Sequence, residues 1–423
     1  LFAKKKLGAV PVYILLIGGG SFFSTLVFTV NLIYQVQIVH LNPLQLVLVG
    51  TILEGTAFLF EVPTGIVADV YSRRLSIIIG AFLLGIGLAL QGVVPKFGVI
   101  LLAQVIWGIG YTFTSGATQA WITDEIGIAR ANPLFLRASQ FELIASIVAV
   151  AIATAIGNVS LQAPILIGGG LYFVMGVVLV VVMPEHGFTP TPRAERTTWQ
   201  VMGGQLKSGV SLVRRSHVLL TILGIMAFSG AATESYDRLS TDHFLTNFAF
   251  PTFAGWKPVV WLGIFSIVGR LVNIGAFEII RRRLDTNSHR AVARALTIST
   301  ALLVVCYLGF ALAGNLALVA IASTGVWMFR RINNPLQTAW INQHVDSGVR
   351  ATVLSISSQA DAVGQIAGGP VIGYVGLLAS VRAALVVGGG ILTPALLLYA
   401  QTLRRADPLT IAVEESALPE PAP

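Results

Sequence analysis

About twelve long apolar runs follow one another along this chain, and no other feature narrows its fold as far. A hydrocarbon layer of roughly 30 Å takes about 20 helical residues to cross. Inside it, only α-helices and closed barrels satisfy every backbone group. A barrel strand alternates apolar and polar residues with period two. These runs do not alternate, so the expected fold is an all-α polytopic membrane protein. The composition agrees: 55% of residues are hydrophobic and 11% charged, where a soluble chain carries about a quarter charged.

Helices are expected at 10–39, 43–68, 75–94, 97–124, 137–158, 162–183, 217–246, 257–280, 291–313, 315–342, 350–377 and 381–403. The polar stretch 184–216 carries prolines and mixed charges, among them Arg193, Glu195, Arg196 and Lys207. It divides a six-helix unit, 1–183, from a second, 217–403. The tail 404–423 is polar and proline-rich, and is expected to be disordered.

The net charge of +8 does not point to nucleic acid. Lys4–Lys6, Arg73, Arg74, Arg130, Arg137, the linker, Arg281–Arg283, Arg290, Arg294, Arg350, Arg404 and Arg405 fall on one side. Lys96, Lys257 and Arg382 fall on the other. By the positive-inside rule both termini are expected to be cytoplasmic. Lys4–Lys6 and the following apolar run mimic a signal peptide, but the run is too long and lacks a small-residue cleavage site. Cys306 is the one cysteine, so no internal disulfide forms, and no Cys/His cluster suggests a metal. No cofactor is expected. The histidines (40, 186, 217, 243, 289, 344) fall mainly at loops and helix ends, which argues against a membrane-embedded enzyme. A G-x-x-x-x-G-K-[ST] motif is absent, which argues against direct ATP drive.

The two units echo each other. Ala120-Trp121-Ile122-Thr123 matches Ala339-Trp340-Ile341-Asn342, and Arg137-Ala138-Ser139 matches Arg350-Ala351-Thr352. Parallel repeats of this kind occur in transporters.

A charge at the bilayer centre costs about 2.5–3.5 kcal/mol even on a lenient scale, so such residues face partners or cavities. Glu54 and Glu61 lie seven apart on helix 2, on one face with Phe58 and Gly65. Helix 7 carries Glu234, Asp237 and Arg238. Either Glu234 and Arg238 pair with each other, or Glu234 or Asp237 takes a proton or a cationic substrate. Ser266, Arg270 and Asn273 form a stripe on helix 8. Arg330 and Arg331 sit mid-span on helix 10, with Asn333 and Asn334 beyond. Asp361 on helix 11 is an expected partner for an arginine of helix 8 or 10. Proton-coupling candidates are therefore Glu54, Glu234, Asp237 and Asp361. Helix 1 adds Ser24, Asn31 and Gln35, and helix 4 adds Gln104, Gly108, Tyr111, Ser115 and Thr118. Tyr34, Trp107 and Trp327 supply aromatic area. The expected cavity is neutral and aromatic on its first-half wall and charged on its second.

One short stretch carries a family likeness. Gly65-Ile-Val-Ala-Asp69-Val-Tyr-Ser-Arg73-Arg74 resembles the loop between helices 2 and 3 of the major facilitator superfamily, G-x-x-x-D-[RK]-x-G-[RK]-[RK]. Val70 replaces the usual basic residue and Ser72 the usual glycine. The resemblance covers essentially the whole chain and implies alternating access about a central site. It implies that Asp69 meets helix 11 and that Arg73 is its accompanying cation. Gly65, Asp69, Arg73, Arg74, Asp124, Glu125 and Arg137 then form a gate between the halves. The runs Glu61-Val-Pro-Thr-Gly65, Ser115-Gly-Ala and Ala120–Glu125 look most like bacterial tetracycline- or macrolide-type exporters. Two features of such antiporters are missing: Gln104 replaces a helix-4 arginine, and Gly-Pro-x-x-Gly appears at Gly369–Gly373 rather than in helix 5.

The leading expectation is a monomeric, proton-coupled exporter of amphipathic small molecules, with the lipid bilayer and protons as partners. The alternative is a carrier of an anionic metabolite held by Arg270, Arg330 and Arg331. A transporter-like sensor is a third class, for which no soluble domain is evident.

Overall fold

The computed structural model describes residues 7–190, 217–283, 288–345 and 350–404. Lys4–Lys6, linker residues 191–216, Asp285 and tail residues 405–423 lie outside the described residues. Every element is helical: α1 (Ala9–Ile14, a π turn Leu15–Gly19, and Gly20–Gln37), α2 (Pro43–Val70), α3 (Arg73–Val93), α4 (Phe97–Thr114 and Ala117–Ile126), α5 (Ile128–Gly157) and α6 (Gln162–Val182), then α7 (His217–Asn247), α8 (Pro258–Arg283), α9 (His289–Leu312), α10 (Leu316–His344), α11 (Arg350–Leu378) and α12 (Val381–Ile391 and Thr393–Arg404).

Ten of the twelve are long and apolar enough to cross a membrane. The others, α10 and α11, have 29 residues each, about 43 Å at 1.5 Å per residue. Their apolar faces are interrupted by Arg330, Arg331 and Asn333 on α10 and by Asp361 and Gln365 on α11. The chain is thus an all-α, multi-pass membrane protein of twelve helices.

Local chemistry sets the boundaries. Asn42 caps α2 in a reciprocal capping box with Gln45. Ser72, Ser288, Asn315 and Ser380 each accept from the backbone N–H three residues on, at the starts of α3, α9, α10 and α12. Three expected boundaries need correction. Helix α4 breaks at Ser115–Gly116, where Gly116 takes φ +70°, a left-handed conformation open to glycine. Helix α5 starts at Ile128, after Gly127 at φ +79°, so Arg137 lies inside it rather than opening it. Helix α12 breaks at Leu392, because Pro394 has no N–H for the Gly390 carbonyl; the Thr393 hydroxyl donates to that carbonyl instead, at 2.6 Å.

Helices α1–α6 pack mainly on one another, as do α7–α12. Close approach relies on glycine in both sets. Gly85 of α3 abuts the Gly169 carbonyl of α6, and Gly364 of α11 abuts the Ala227 backbone of α7. The sets meet through α2 with α11, α2 with α7, and α5 with α8. The α2–α11 contacts lie at one end of both helices: Gly376 on Pro43, Gly373 on Leu44 and Val47, and Gly369 on Val47 and Thr51. That end faces away from the arginine-rich loops. Toward the arginine-rich face, α2 presents exposed Glu61, α4 exposed Tyr111 and α11 exposed Ser355 and Ser358. The structure is packed shut on the first face and parted toward the second.

Candidate functional site

The charged centre begins with α7. Glu234 and Arg238, one helical turn apart, pair at 3.4 Å. Glu234 is 1% exposed. The pair sits on α2 at Gly50: a Cβ there would lie 2.6 Å from both Arg238 Cζ and Glu234 Oε2. Glu234 Cγ also lies near where a Cβ on Gly369 of α11 would stand. The acid therefore sits where α2, α7 and α11 converge. Glu54, one turn from Gly50 on α2, is within electrostatic reach of Arg238, Asp361 and Asp237. Among the described residues it makes no ion pair of its own. One guanidinium is thus paired with an acid of its own helix and within electrostatic reach of one from the other set.

Asp237, on the next face of α7, takes both Arg330 terminal nitrogens, at 2.5 and 2.9 Å. Arg330 also lies over the Trp327 ring, 5.3 Å from its centroid. This corrects the expectation that Asp361 partners an arginine of helix 8 or 10. Asp361 instead accepts from Gln365 at 2.7 Å. Its own helix supplies a donor one turn away, and Asp237 already occupies the fork of Arg330. Arg270 donates to Ser146 of α5 at 3.2 Å, and Arg331 is its electrostatic neighbour. The three arginines therefore do not form one site.

Asp237, Arg330, Asn334, Asp361 and Gln365 border a cavity of about 240 Å³. Behind them, Thr300, Tyr307 and Asn333 carry it into the interior of α7–α12. Asn333 bonds Ser299 and Thr300 of α9. Thr300, Tyr307 and Gln337 were not singled out in the sequence. Their helical spacing matches that of core residues, and only the neighbouring helices show that a void adjoins them.

On the first set of helices, α4 stacks Trp107 on Tyr111, with centroids 5.7 Å apart and planes at 12°. Phe28 of α1 meets Trp107 edge-on. Tyr111 is half exposed and within electrostatic reach of Glu54 and Glu61. Tyr34 and Gln104 are corrections to the expected cavity wall. Tyr34 is buried and donates to the Gln91 carbonyl, and Gln104 donates to the Gln91 side chain. Both tie α1, α3 and α4 together inside the bundle. Asn31, Gln35 and Asn273 are also buried, each with an amide atom lacking a hydrogen bond. Ser115 ends the first part of α4, and Ser266 is half-buried on α8.

The expected gate residues gather around the α2–α3 turn. Arg73 pairs with Asp124 and, at 3.7 Å, with Asp69. The Arg74 backbone N–H and the Ser72 hydroxyl donate to Glu185, at 2.8 and 2.7 Å. Glu125 accepts from the backbone N–H groups of His186 and Gly187. Trp121 donates to the Pro184 carbonyl at 2.9 Å. These bonds fasten the α2–α3 turn, the end of α4 and residues 184–187 to one another, all on the first set of helices. Glu185 carries much of this and went unnoticed in the sequence, lying in what read as linker. Gly65 lies within α2, and Arg137 stands exposed on α5.

The family model described as Major Facilitator Superfamily matches residues 14–358. A Bacillus subtilis (strain 168) protein described as an uncharacterized MFS-type transporter, YxaM, is 22% identical over 361 residues, covering 84% of this chain and 86% of that protein. The crystal structure of nucleoside transporter NupG superposes with TM-score 0.70 at 16% identity, over 93% of this chain and 100% of that one. Peptide transporter POT in complex with sulfate gives TM-score 0.72 at 12% identity, over 94% of each chain. At such identities the structural likeness shows the fold. The family and these neighbours are transporters, not enzymes.

Proposed function

The chain belongs to the major facilitator superfamily, and we propose that it is a proton-coupled exporter of small amphipathic molecules. It works by alternating access between the bundles 1–183 and 217–403, in a bacterial inner membrane with both termini cytoplasmic. The observation that carries this reading is Arg238, paired with Glu234 of its own helix, seated on Gly50 of the opposing one and within electrostatic reach of Glu54, at the seam where the bundles meet. A buried lone carboxylate is costly, so Glu234 holds either a cation or a proton. In the state open on the outer face, Glu234 takes a proton from outside and lets Arg238 go. Once the bundles shut again on that face, as here, the proton leaves to the cytoplasm and the Glu234–Arg238 pair re-forms on Gly50. A carboxylate that exchanges a proton for an arginine in step with this movement couples the proton gradient to the cycle.

The substrate class follows from the two walls. The stacked Trp107–Tyr111 pair offers a flat aromatic surface. The cavity of the second set offers Asp237, Arg330, Asp361 and amides. A planar ring with a polar head suits these two kinds of surface. Both neighbouring structures carry hydrogen-bonding solutes by name, a nucleoside and a peptide. Together with the polar cavity of about 240 Å³, they favour a second reading, a carrier of one small polar metabolite. Transport by purified protein in proteoliposomes separates the two. The panel is a lipophilic cation, a nucleoside, a dipeptide and an organic anion, each with and without a pH gradient. The exporter reading expects gradient-driven flux of the lipophilic cation, lost in Asp361→Ala and retained in Arg330→Ala. Flux confined to the anion, and lost in Arg330→Ala, overturns it.

A further inference from the structure

On the face where the bundles are packed shut lies a second cavity, of about 430 Å³, with no part in the site above. Its walls come from both sets of helices. Gln37 and Ile38 end α1, Ser160 and Gln162 bridge α5 and α6, and Lys257 and Val259 open α8. Lys257 is the charged residue of this wall, and no carboxylate joins it. Gln37, Ser160 and Gln162 add amide and hydroxyl groups. Ile38 and Val159 are exposed apolar rims, Val159 at 83%.

The loop that delivers Lys257 also fixes the depth of this cavity in the membrane. Ala254 and Gly255 take φ of +50° and +73°, turning the chain sharply. Phe253, Trp256 and Trp261 then cluster edge to face, with centroids 5.3 and 5.6 Å apart. Half-exposed indoles on a membrane protein mark the headgroup level of the bilayer. The Lys257 backbone N–H donates to the side chain of Asn158, just past α5, at 3.0 Å, and Val259 meets Gly157. The lysine is therefore positioned across the seam by its backbone, and among the described residues no carboxylate pairs with its ammonium group.

A cation and neutral hydrogen-bonding groups above an apolar rim, at headgroup depth, match one chemistry. We propose that this cavity binds the headgroup of an anionic phospholipid of that leaflet, its phosphate on Lys257 and its glycerol and acyl start along Ile38 and Val159. Because such a lipid touches both bundles, it favours the state packed shut on this face by its differential affinity for that state.

The test uses the full chain in a neutral detergent, read by native mass spectrometry. The probes are phosphatidylglycerol, phosphatidylcholine and inorganic phosphate. Phosphatidylglycerol adducts are expected to survive, to fall at least fivefold in Lys257→Gln, and to persist in Lys257→Arg. Millimolar phosphate is expected not to displace them. An unchanged thermal midpoint in Lys257→Gln shows that the loss is not one of folding. Equal retention by Lys257→Gln, equal retention of phosphatidylcholine, or displacement by free phosphate overturns the proposal.

Discussion

The guanidinium of Arg238 rests directly over the bare Cα of Gly50, on the opposite side of the seam between the two bundles. No side chain fits there, because Arg238 Cζ and Glu234 Oε2 would each lie 2.6 Å from its Cβ. Overpacking a fitted contact costs about 1–3 kcal/mol, roughly a fivefold to hundredfold shift in a two-state equilibrium. Gly50→Ala is therefore expected to move the protein toward the state open on the face now shut. Val47, buried under α11 beside this contact, reports on it. In a cysteine-free background, labelling of Val47→Cys by an impermeant maleimide is expected to speed about tenfold when Gly50→Ala is added. Unchanged labelling means that the contact is not part of the moving seam.

The Asp237–Arg330 pair is bidentate and about a quarter to a third exposed. Charge-assisted hydrogen bonds of this kind contribute on the order of 1.5–3 kcal/mol. Asp237→Ala leaves Arg330 beside Trp327 with no anion bonded to it. The thermal midpoint in detergent is expected to drop by several degrees. The swap Asp237→Arg with Arg330→Asp is expected to recover part of the loss. A double variant no better than the singles means that the pair acts through geometry rather than charge.

Ser72 stands where the family pattern has glycine, and the structure gives it two roles. Its oxygen caps α3 at the Leu75 N–H, and its hydroxyl donates to Glu185. Loss of a cap costs about 1 kcal/mol, and a bond to a carboxylate somewhat more. Ser72→Ala is expected to destabilise the protein by about 2 kcal/mol in denaturant titration, and Glu185→Gln by less. Transport per folded molecule is expected to be unchanged. An equal loss of transport would place this cluster in the gate after all.

The stack of Trp107 on Tyr111 predicts a selective defect. Trp107→Ala removes the flat face, so the KM for planar substrates is expected to rise about tenfold, with aliphatic solutes affected little. Trp107→Phe is expected to recover most of the loss. A uniform loss across the panel points to packing around Phe28 instead.

Much of the fold was legible in the sequence because hydropathy is local. The starts expected at 43, 315 and 381 fall within a residue of those observed at Pro43, Leu316 and Val381, where Asn42, Asn315 and Ser380 cap the helices. The breaks at Gly116 and Pro394 were harder, since each residue is also tolerated inside a membrane helix. The site was less legible, because a polar stripe reads the same whether it faces a neighbour or a void. Tyr34 and Gln104 share their periodicity with Tyr111, yet they bond inward to Gln91 while Tyr111 is exposed. Charge partners depend on helices distant in sequence, so Asp237 rather than Asp361 claimed Arg330. Gly50 gave one faint signal: it precedes Glu54 by one turn, on the same face of α2.

The central claim is that Glu234 exchanges a proton for Arg238 during transport. Its most direct test is uptake of a planar lipophilic cation into proteoliposomes with an acidic lumen, comparing wild type with Glu234→Gln. The wild type is expected to concentrate the cation severalfold, and to lose that accumulation when the gradient is collapsed. Glu234→Gln is expected to equilibrate the cation at a comparable rate but not to concentrate it. Accumulation by Glu234→Gln equal to wild type, or wild-type uptake indifferent to the gradient, contradicts the account.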